Sequence, residues 1–358
     1  MNPAILVLVC LCILALFFQK SKILTCIIFF FIWTLAWTRL QPDYVNYEIM
    51  YNLEINKDLG YYGLSLLFKK IGFDYFSCRL IILAAGWSIY LWFIIKFARR
   101  CSLVAALYLC TVSFYDTEQN RNFFGFALCL IGISALFKDY TVKGLIKFGF
   151  WVLLGTSMHS MNFFFFVFGL LNKNVLKRVS KVQLVLIAAF FAGALWFLFS
   201  QVIIDKIEAY DLGVSSLTKN LLIILFIVNI IFIIFVRKFR LKSSITKTLT
   251  ISQKKYSISE NNILYFNLAL FALLPAAFYS LSALRVYRYM EILNLSYVTD
   301  KLASKWPLTN IGLNFLIILY GASFGIVAYL MHSSSYWDVV LPEFYANEFY
   351  AWISAYLL

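Results

Sequence analysis

The chain has 358 residues, of which 63% are hydrophobic and 13% charged, and its mean hydropathy is +0.83. A soluble domain carries roughly 45–50% apolar and about 25% charged residues, so a water-soluble fold is excluded and a multi-span membrane protein is expected. The net charge of +14 does not mark a nucleic-acid binder, because the positive residues follow a membrane pattern.

The first apolar run, Leu6–Phe18, is followed by Lys20 and Lys22 and by no small-residue cleavage site, so it reads as a retained span. Further apolar runs lie near 23–40, 78–95, 101–115, 122–137, 146–158, 160–171, 183–200, 220–236, 261–283, 286–299 and 309–331. They predict an all-α polytopic integral membrane protein, a single domain over 1–358 with about twelve transmembrane or partly spanning helices. Alternate connections, starting at Lys20/Lys22, hold 21 of the 31 Lys and Arg but only 3 of the 17 Asp and Glu. The positive-inside rule puts that face in the cytoplasm and both termini outside it.

After the second run, Leu40-Gln41-Pro42-Asp43-Tyr44-Val45-Asn46-Tyr47 sets Asp, Asn and two Tyr at short spacing. Such a segment suits hydroxyl-rich ligands, and equally a tyrosine belt at the membrane interface. Near 60–73, Leu64, Leu67, Phe68 and Ile71 form one helical stripe, too short to span, which predicts an interfacial helix. A polar knot follows, Glu118-Gln119-Asn120-Arg121, between apolar runs. Charge at membrane depth is costly and by default marks function.

His159 is the second such signal. Only 25 residues separate Lys147 from Lys173, and two helices sharing them cover roughly 18–20 Å each, against a hydrocarbon core of about 30 Å. His159 is therefore expected at the turn of a short hairpin, recessed in the outer leaflet. An outside loop is expected near 201–220, and a basic cytoplasmic loop near 237–262 that meets anionic membrane lipid.

Arg285 and Arg288 share a helical face. They either bind an anion such as a diphosphate or form a ladder with Glu291. The helices opened by Arg121, His159 and Arg285/Arg288 all run inward from the outer face, so their positive N-terminal ends face one side. In the tail, His332, Trp337, Tyr345 and Tyr350 suit the headgroup region. The seven cysteines include no C-x-x-C pair, which leaves metal binding and disulfides unsupported.

Gln119-Asn120-Arg121-Asn122 opening an apolar helix, a basic hairpin from Lys138 to Lys147, and Met158-His159-Ser160 closing a short apolar run together resemble the EpsG-like, Wzy-type polymerases of bacterial exopolysaccharide and O-antigen. Two positions depart from that pattern: Asn122 stands where a Gln is usual, and Ser160 follows the histidine directly. The resemblance implies a metal-independent glycosyltransferase without cofactor, in the bacterial cytoplasmic membrane with its site facing outward. It would join oligosaccharide repeat units carried on undecaprenyl diphosphate. Arg121, Arg285 and Arg288 would neutralise the departing diphosphate. His159 would be the base for the attacking hydroxyl, with Asp43 in reserve and Glu118 orienting Arg121 or His159. The candidates for sugar contact are Tyr44, Tyr47, Glu118, Gln119, Asn120 and Tyr289. A chain-length regulator is the implied protein partner. An O-antigen ligase shares the donor; a membrane O-acyltransferase or a lipid-linked sugar flippase are the more distant alternatives.

Overall fold

The computed structural model describes residues 2–55, 58–138, 141–171, 216–238, 260–270, 284–302, 311–325 and 336–357. Among them every regular element is helical. The run near 183–200, most of the expected 201–220 loop and residues 239–259 of the basic loop lie outside the described residues.

Helix α1 (Pro3–Phe17) starts on Asn2, whose side chain accepts the Ala4 N–H at 2.9 Å, and has Pro3 in its first turn. Helix α2 (Lys22–Leu35) is capped by Ser21, which accepts the Leu24 N–H at 3.1 Å. It stops short of residue 40 because a buried arginine from further along claims the chain beyond it. The Arg79 guanidinium donates to the carbonyls of Ala36 (2.8 Å) and Thr38 (3.3 Å).

Two short helices follow, α3 (Tyr44–Asn52) and α4 (Leu59–Ile71). Their ends differ. Gly72 closes α4 in the left-handed conformation (φ 96°), as glycine does without steric cost. The same turn after α3 is made by Glu54 (φ 59°), with Ile55 N–H donating to Met50 C=O at 3.0 Å. A side chain there costs about 1–2 kcal/mol relative to a right-handed residue.

Helix α5 (Tyr75–Phe97) is 23 residues long, about 34 Å, and starts on Asp74, which accepts the Ser77 N–H at 2.9 Å. The 101–115 run is broken into α6 (Cys101–Thr111) and α7 (Ser113–Glu118), and α8 (Asn120–Lys138) restarts after Gln119. Among the described residues, only Tyr75–Phe97 and Asn120–Phe137 are long and apolar enough to cross a membrane by length and composition. They pack together through Phe123, fully buried against Trp87 and Tyr90, with ring centroids 5.5 and 5.1 Å away.

Helix α9 (Val142–Met158) ends at His159, a 3-10 helix covers Ser160–Phe166, and α10 (Val167–Leu170) completes the turn back. The 3-10 form rises about 2.0 Å per residue instead of 1.5, so the short return arm reaches further than an α-helix of equal length.

Helices α11 (Ser216–Lys238), α12 (Glu260–Leu270), α13 (Leu284–Leu302) and α14 (Ile311–Gly325) follow. All of α13 from Val286 to Val298 is buried, polar residues included. Its Asn294 exchanges two amide hydrogen bonds with Asn267 of α12, at 2.8 and 2.9 Å. A π-helical turn (Tyr336–Val340), α15 (Leu341–Tyr345) and α16 (Glu348–Leu357) end the described chain against α2. Asn347 donates to the carbonyls of Thr34 (2.9 Å) and Leu35 (3.0 Å), which have no further helical turn to bond.

Candidate active site

Close helix crossings seat the site. A Cβ on Gly155 of α9 would collide with the Gly125 carbonyl of α8 and with Cys129 Sγ; one on Gly125 would lie 2.7 Å from the Gly155 carbonyl. The opening of α8 is thus pressed against the end of α9, and Asn162 locks the turn by donating to the Gly155 carbonyl at 3.2 Å. On the other side α4 rides on α9 at Gly60, where a Cβ would sit 2.9 Å from Ser157 Cβ. Asp58, two residues before Gly60, is carried to the same place.

There Asp58 joins Arg121 to the turn that carries His159. Its Oδ2 is 3.2 Å from Arg121 Nη1, in an ion pair whose side chains are 16% and 14% exposed. Its Oδ1 accepts the N–H of Ser160, the residue after His159, at 3.4 Å. The Arg121 guanidinium also lies over the rings of Tyr47 (4.6 Å) and Tyr61 (5.7 Å), whose faces attract the cation. His159 caps the 3-10 helix: its Nδ1 accepts the Met161 N–H at 3.2 Å. With that lone pair engaged, the neutral ring carries its proton on Nε2.

A second cluster lies on the other side of the α7–α8 junction. Arg288 of α13 is 4% exposed and Asp116 of α7 fully buried, with 3.6 Å between Nη2 and Oδ1. Arg288 also donates to Gln119 (2.9 Å) and to the Tyr289 hydroxyl (2.8 Å). The expected ladder partner, Glu291, is not the one Arg288 uses. Gln119 and Arg121 are two residues apart, so the clusters share one short piece of backbone, about 7 Å long. Between them, Asn122 is 3% exposed and its amide has no hydrogen-bond partner at either end. An orphaned buried amide costs about 1–3 kcal/mol unless a ligand supplies the partner.

The remaining expected residues divide. Asn120 is committed inside the protein, donating to Tyr75 Oη at 3.0 Å and accepting from Tyr61 Oη at 3.4 Å. Tyr44 is buried, its ring 5.1 Å from that of Tyr75, and burial pushes its hydroxyl up to about 12. Asp43 stands at the head of α3 with no side-chain cap bond. Glu118 ends α7, half-buried. Arg285 belongs to the first turn of α13. Among the described residues no three His, Cys, Asp or Glu side chains gather at metal-binding spacing.

Sequence reasoning missed Asp58 and Asp116. Asp58 sits just ahead of the 60–73 stripe, where a carboxylate commonly opens a helix, and that position was the available signal. Asp116 is two residues before Glu118 and was hidden at the end of an apolar run.

A strongly apolar chain whose described residues form only helices, with arginine, carboxylate and imidazole gathered at helix starts, has the character of a membrane protein. The model of the EpsG family matches residues 22–342, and the chain belongs to that family, whose membership suggests a polysaccharide polymerase-like role. No curated protein and no solved structure matches it.

Proposed function

We propose that the chain is a polysaccharide polymerase, a glycosyltransferase that joins undecaprenyl-diphosphate-linked repeat units at the outer face of the bacterial cytoplasmic membrane. About twelve spanning or partly spanning helices with both termini outside fit the charge distribution, and the chemistry calls for no metal. The observation that carries the reading is the assembly of Arg121, Asp58 and the His159 turn at the mouths of two apolar helices, in a chain of the EpsG family.

In the reaction the bond between the anomeric carbon and the diphosphate oxygen breaks as an acceptor hydroxyl oxygen bonds to that carbon. Negative charge grows on the diphosphate, where Arg121 and the Nε2–H of His159 stabilise it, with Arg285 and Arg288 supporting from α13. The hydroxyl proton goes to a carboxylate. Asp58 is placed for this, and Asp43 is the reserve. His159 as the base, the expectation from sequence, requires Nδ1 to leave the Met161 N–H first.

The test compares His159→Ala with His159→Gln in the native host, with the surface polysaccharide resolved by length. Gln keeps both an acceptor and a donor but cannot act as a base. His159→Ala should yield single repeat units only, and His159→Gln should retain part of the long-chain product. Loss in both variants returns the base role to His159. Long chains with His159→Ala rule the site out. Long chains accumulating on the lipid carrier would make the protein a ligase.

A further inference from the structure

No local spacing pairs the seven cysteines, but folding brings two of them into contact from 98 positions apart. Cys12 of α1 and Cys110 of α6 have their sulfur atoms 3.3 Å apart, one thiol donating to the other. Cys110 is exposed on the surface of the fold and Cys12 half-exposed. Helix register sets the contact. Beyond the end of α1, Gln19 accepts the Ser102 N–H on its carbonyl at 3.2 Å and an Arg100 N–H on its side chain, and the Ser102 hydroxyl donates to the Phe18 carbonyl. From that anchor α1 and α6 run antiparallel. Cys12 is seven residues back from Gln19 and Cys110 eight on from Ser102, rises of about 10 and 12 Å, so the two thiols arrive at one level. Cys10 lies about 200° around α1 from Cys12, on the far side from the contact.

We propose that Cys12 and Cys110 form a redox-reactive dithiol, which an apolar hydroperoxide, such as a peroxidised acyl chain, oxidises to a disulfide that ties α1 to α6. Both thiols lie at the surface of apolar helices, where a lipid-soluble oxidant reaches them. The sulfur that accepts the hydrogen bond attacks the terminal peroxide oxygen. The O–O bond breaks, and the alkoxide leaves as an alcohol with that thiol's proton, so the sulfur becomes a sulfenic acid. The second sulfur then attacks the sulfenic sulfur. The S–O bond breaks, and hydroxide leaves as water with the second thiol's proton. Two thiols and one hydroperoxide thus give one disulfide, one alcohol and one water. A resolving thiol already in contact makes the second step intramolecular and forestalls oxidation to the irreversible acids. The sulfur atoms have only to close from 3.3 Å to about 2.0 Å.

The bond would join two different parts of the chain. Helix α1 lies before residue 22, where the family match starts, and α6 lies inside it. Cys110 is one residue from the end of α6 and two from Tyr108, whose hydroxyl donates to Asp116. A tether there holds the end of α6 from which the α7–α8 junction departs. It also closes a loop of about 100 residues, which restricts the unfolded chain and should raise thermal stability.

The experiment uses the full chain purified into lipid nanodiscs and treated with cumene hydroperoxide, beside Cys10→Ser, Cys12→Ser and Cys110→Ser. Wild type should lose two hydrogens in intact mass, yield a peptide linked through Cys12 and Cys110 in unreduced digests, and unfold at a higher temperature. A reducing agent should reverse all three. Cys10→Ser should behave as wild type, while Cys12→Ser and Cys110→Ser should lower total disulfide at least tenfold and abolish the thermal shift. Wild type without the linked peptide, its thiols intact or singly oxidised, overturns the proposal. So does scrambled pairing in which Cys10 is linked as often as Cys12. If either serine variant fails to reach the membrane, the peptide map of oxidised wild type decides by the same two outcomes.

Discussion

Asp58 and Arg121 are 63 positions apart in the sequence and form a partly buried ion pair, so neither side chain can be judged alone. Removing one partner of such a pair leaves a charge in poor solvent. Asp58→Ala is therefore expected to abolish long-chain polymer, and Arg121→Lys to lower it at least tenfold, since a point charge cannot keep the fork between carboxylate and phosphate. Gel profiles of both variants at equal membrane level check this. At the head of α5, the Ser77 hydrogen bonds hold the Asp74 carboxyl below the usual range. A depressed carboxylate contributes stability above its unfolded value and loses it as pH falls through the folded one. The cap is worth about 1 kcal/mol, and the difference in thermal stability between wild type and Asp74→Ala should vanish in acid. Arg121 and His159 were legible because charge and imidazole are rare inside apolar runs. Asp58 was not, because acids are ordinary between spans and its partner is visible only after folding.

The glycine contact between α8 and α9 fixes how near the two helix mouths come. Gly155→Ala adds a methyl group where the Gly125 carbonyl and Cys129 already stand, an overpacking that costs roughly 1–3 kcal/mol. The expected phenotype is a protein that still inserts but has a widened mouth, with shortened polymer and lower thermal stability in detergent. Gly63→Ala, which meets nothing, should leave both unchanged. At the second cluster, Arg288→Met should lower membrane abundance by stranding buried Asp116. The pair Arg288→Met with Asp116→Leu should restore abundance by replacing a buried ion pair with apolar contacts. If the double variant also makes long polymer, Arg288 serves the fold and not the diphosphate. Hydropathy located α1, α5, α8 and the break at His159, since each is a composition boundary. It could not place the break between α6 and α7, because Asp116 is buried against Tyr108 and Arg288 and reads locally as the edge of a span.

Across the molecule, the last described residues are tied to the first. Glu343 of α15 accepts from Gln41 at 3.0 Å and from the Thr117 hydroxyl, while Arg79, 1% exposed, donates to Gln41 and to the Thr117 carbonyl at 3.2 Å. Thr117 lies between Asp116 and Glu118, so this network also fixes the register of the α7–α8 junction. Glu343→Gln preserves an acceptor; Glu343→Ala strands Arg79, Gln41 and Thr117 together. The Ala variant should be depleted from the membrane and the Gln variant largely retained, as quantitative blotting would show. No local pattern announces a contact spanning some 300 residues, which is why Arg79, Thr117 and Glu343 were silent in the sequence.

Helix α13 bears on biogenesis. Arg285, Arg288, Glu291, Asp300 and Lys301 fall within its 19 residues, and charged side chains inside a membrane segment oppose its release into lipid, most strongly near its centre, where Glu291 lies. Such a segment is expected to insert poorly when tested alone. Its insertion should depend on helices already in place with Asp116, Gln119 and Asn267, to which its polar residues bond. The first 270 residues thus serve α13 as an intramolecular insertion chaperone, and supplying them in trans should raise its membrane integration from near zero.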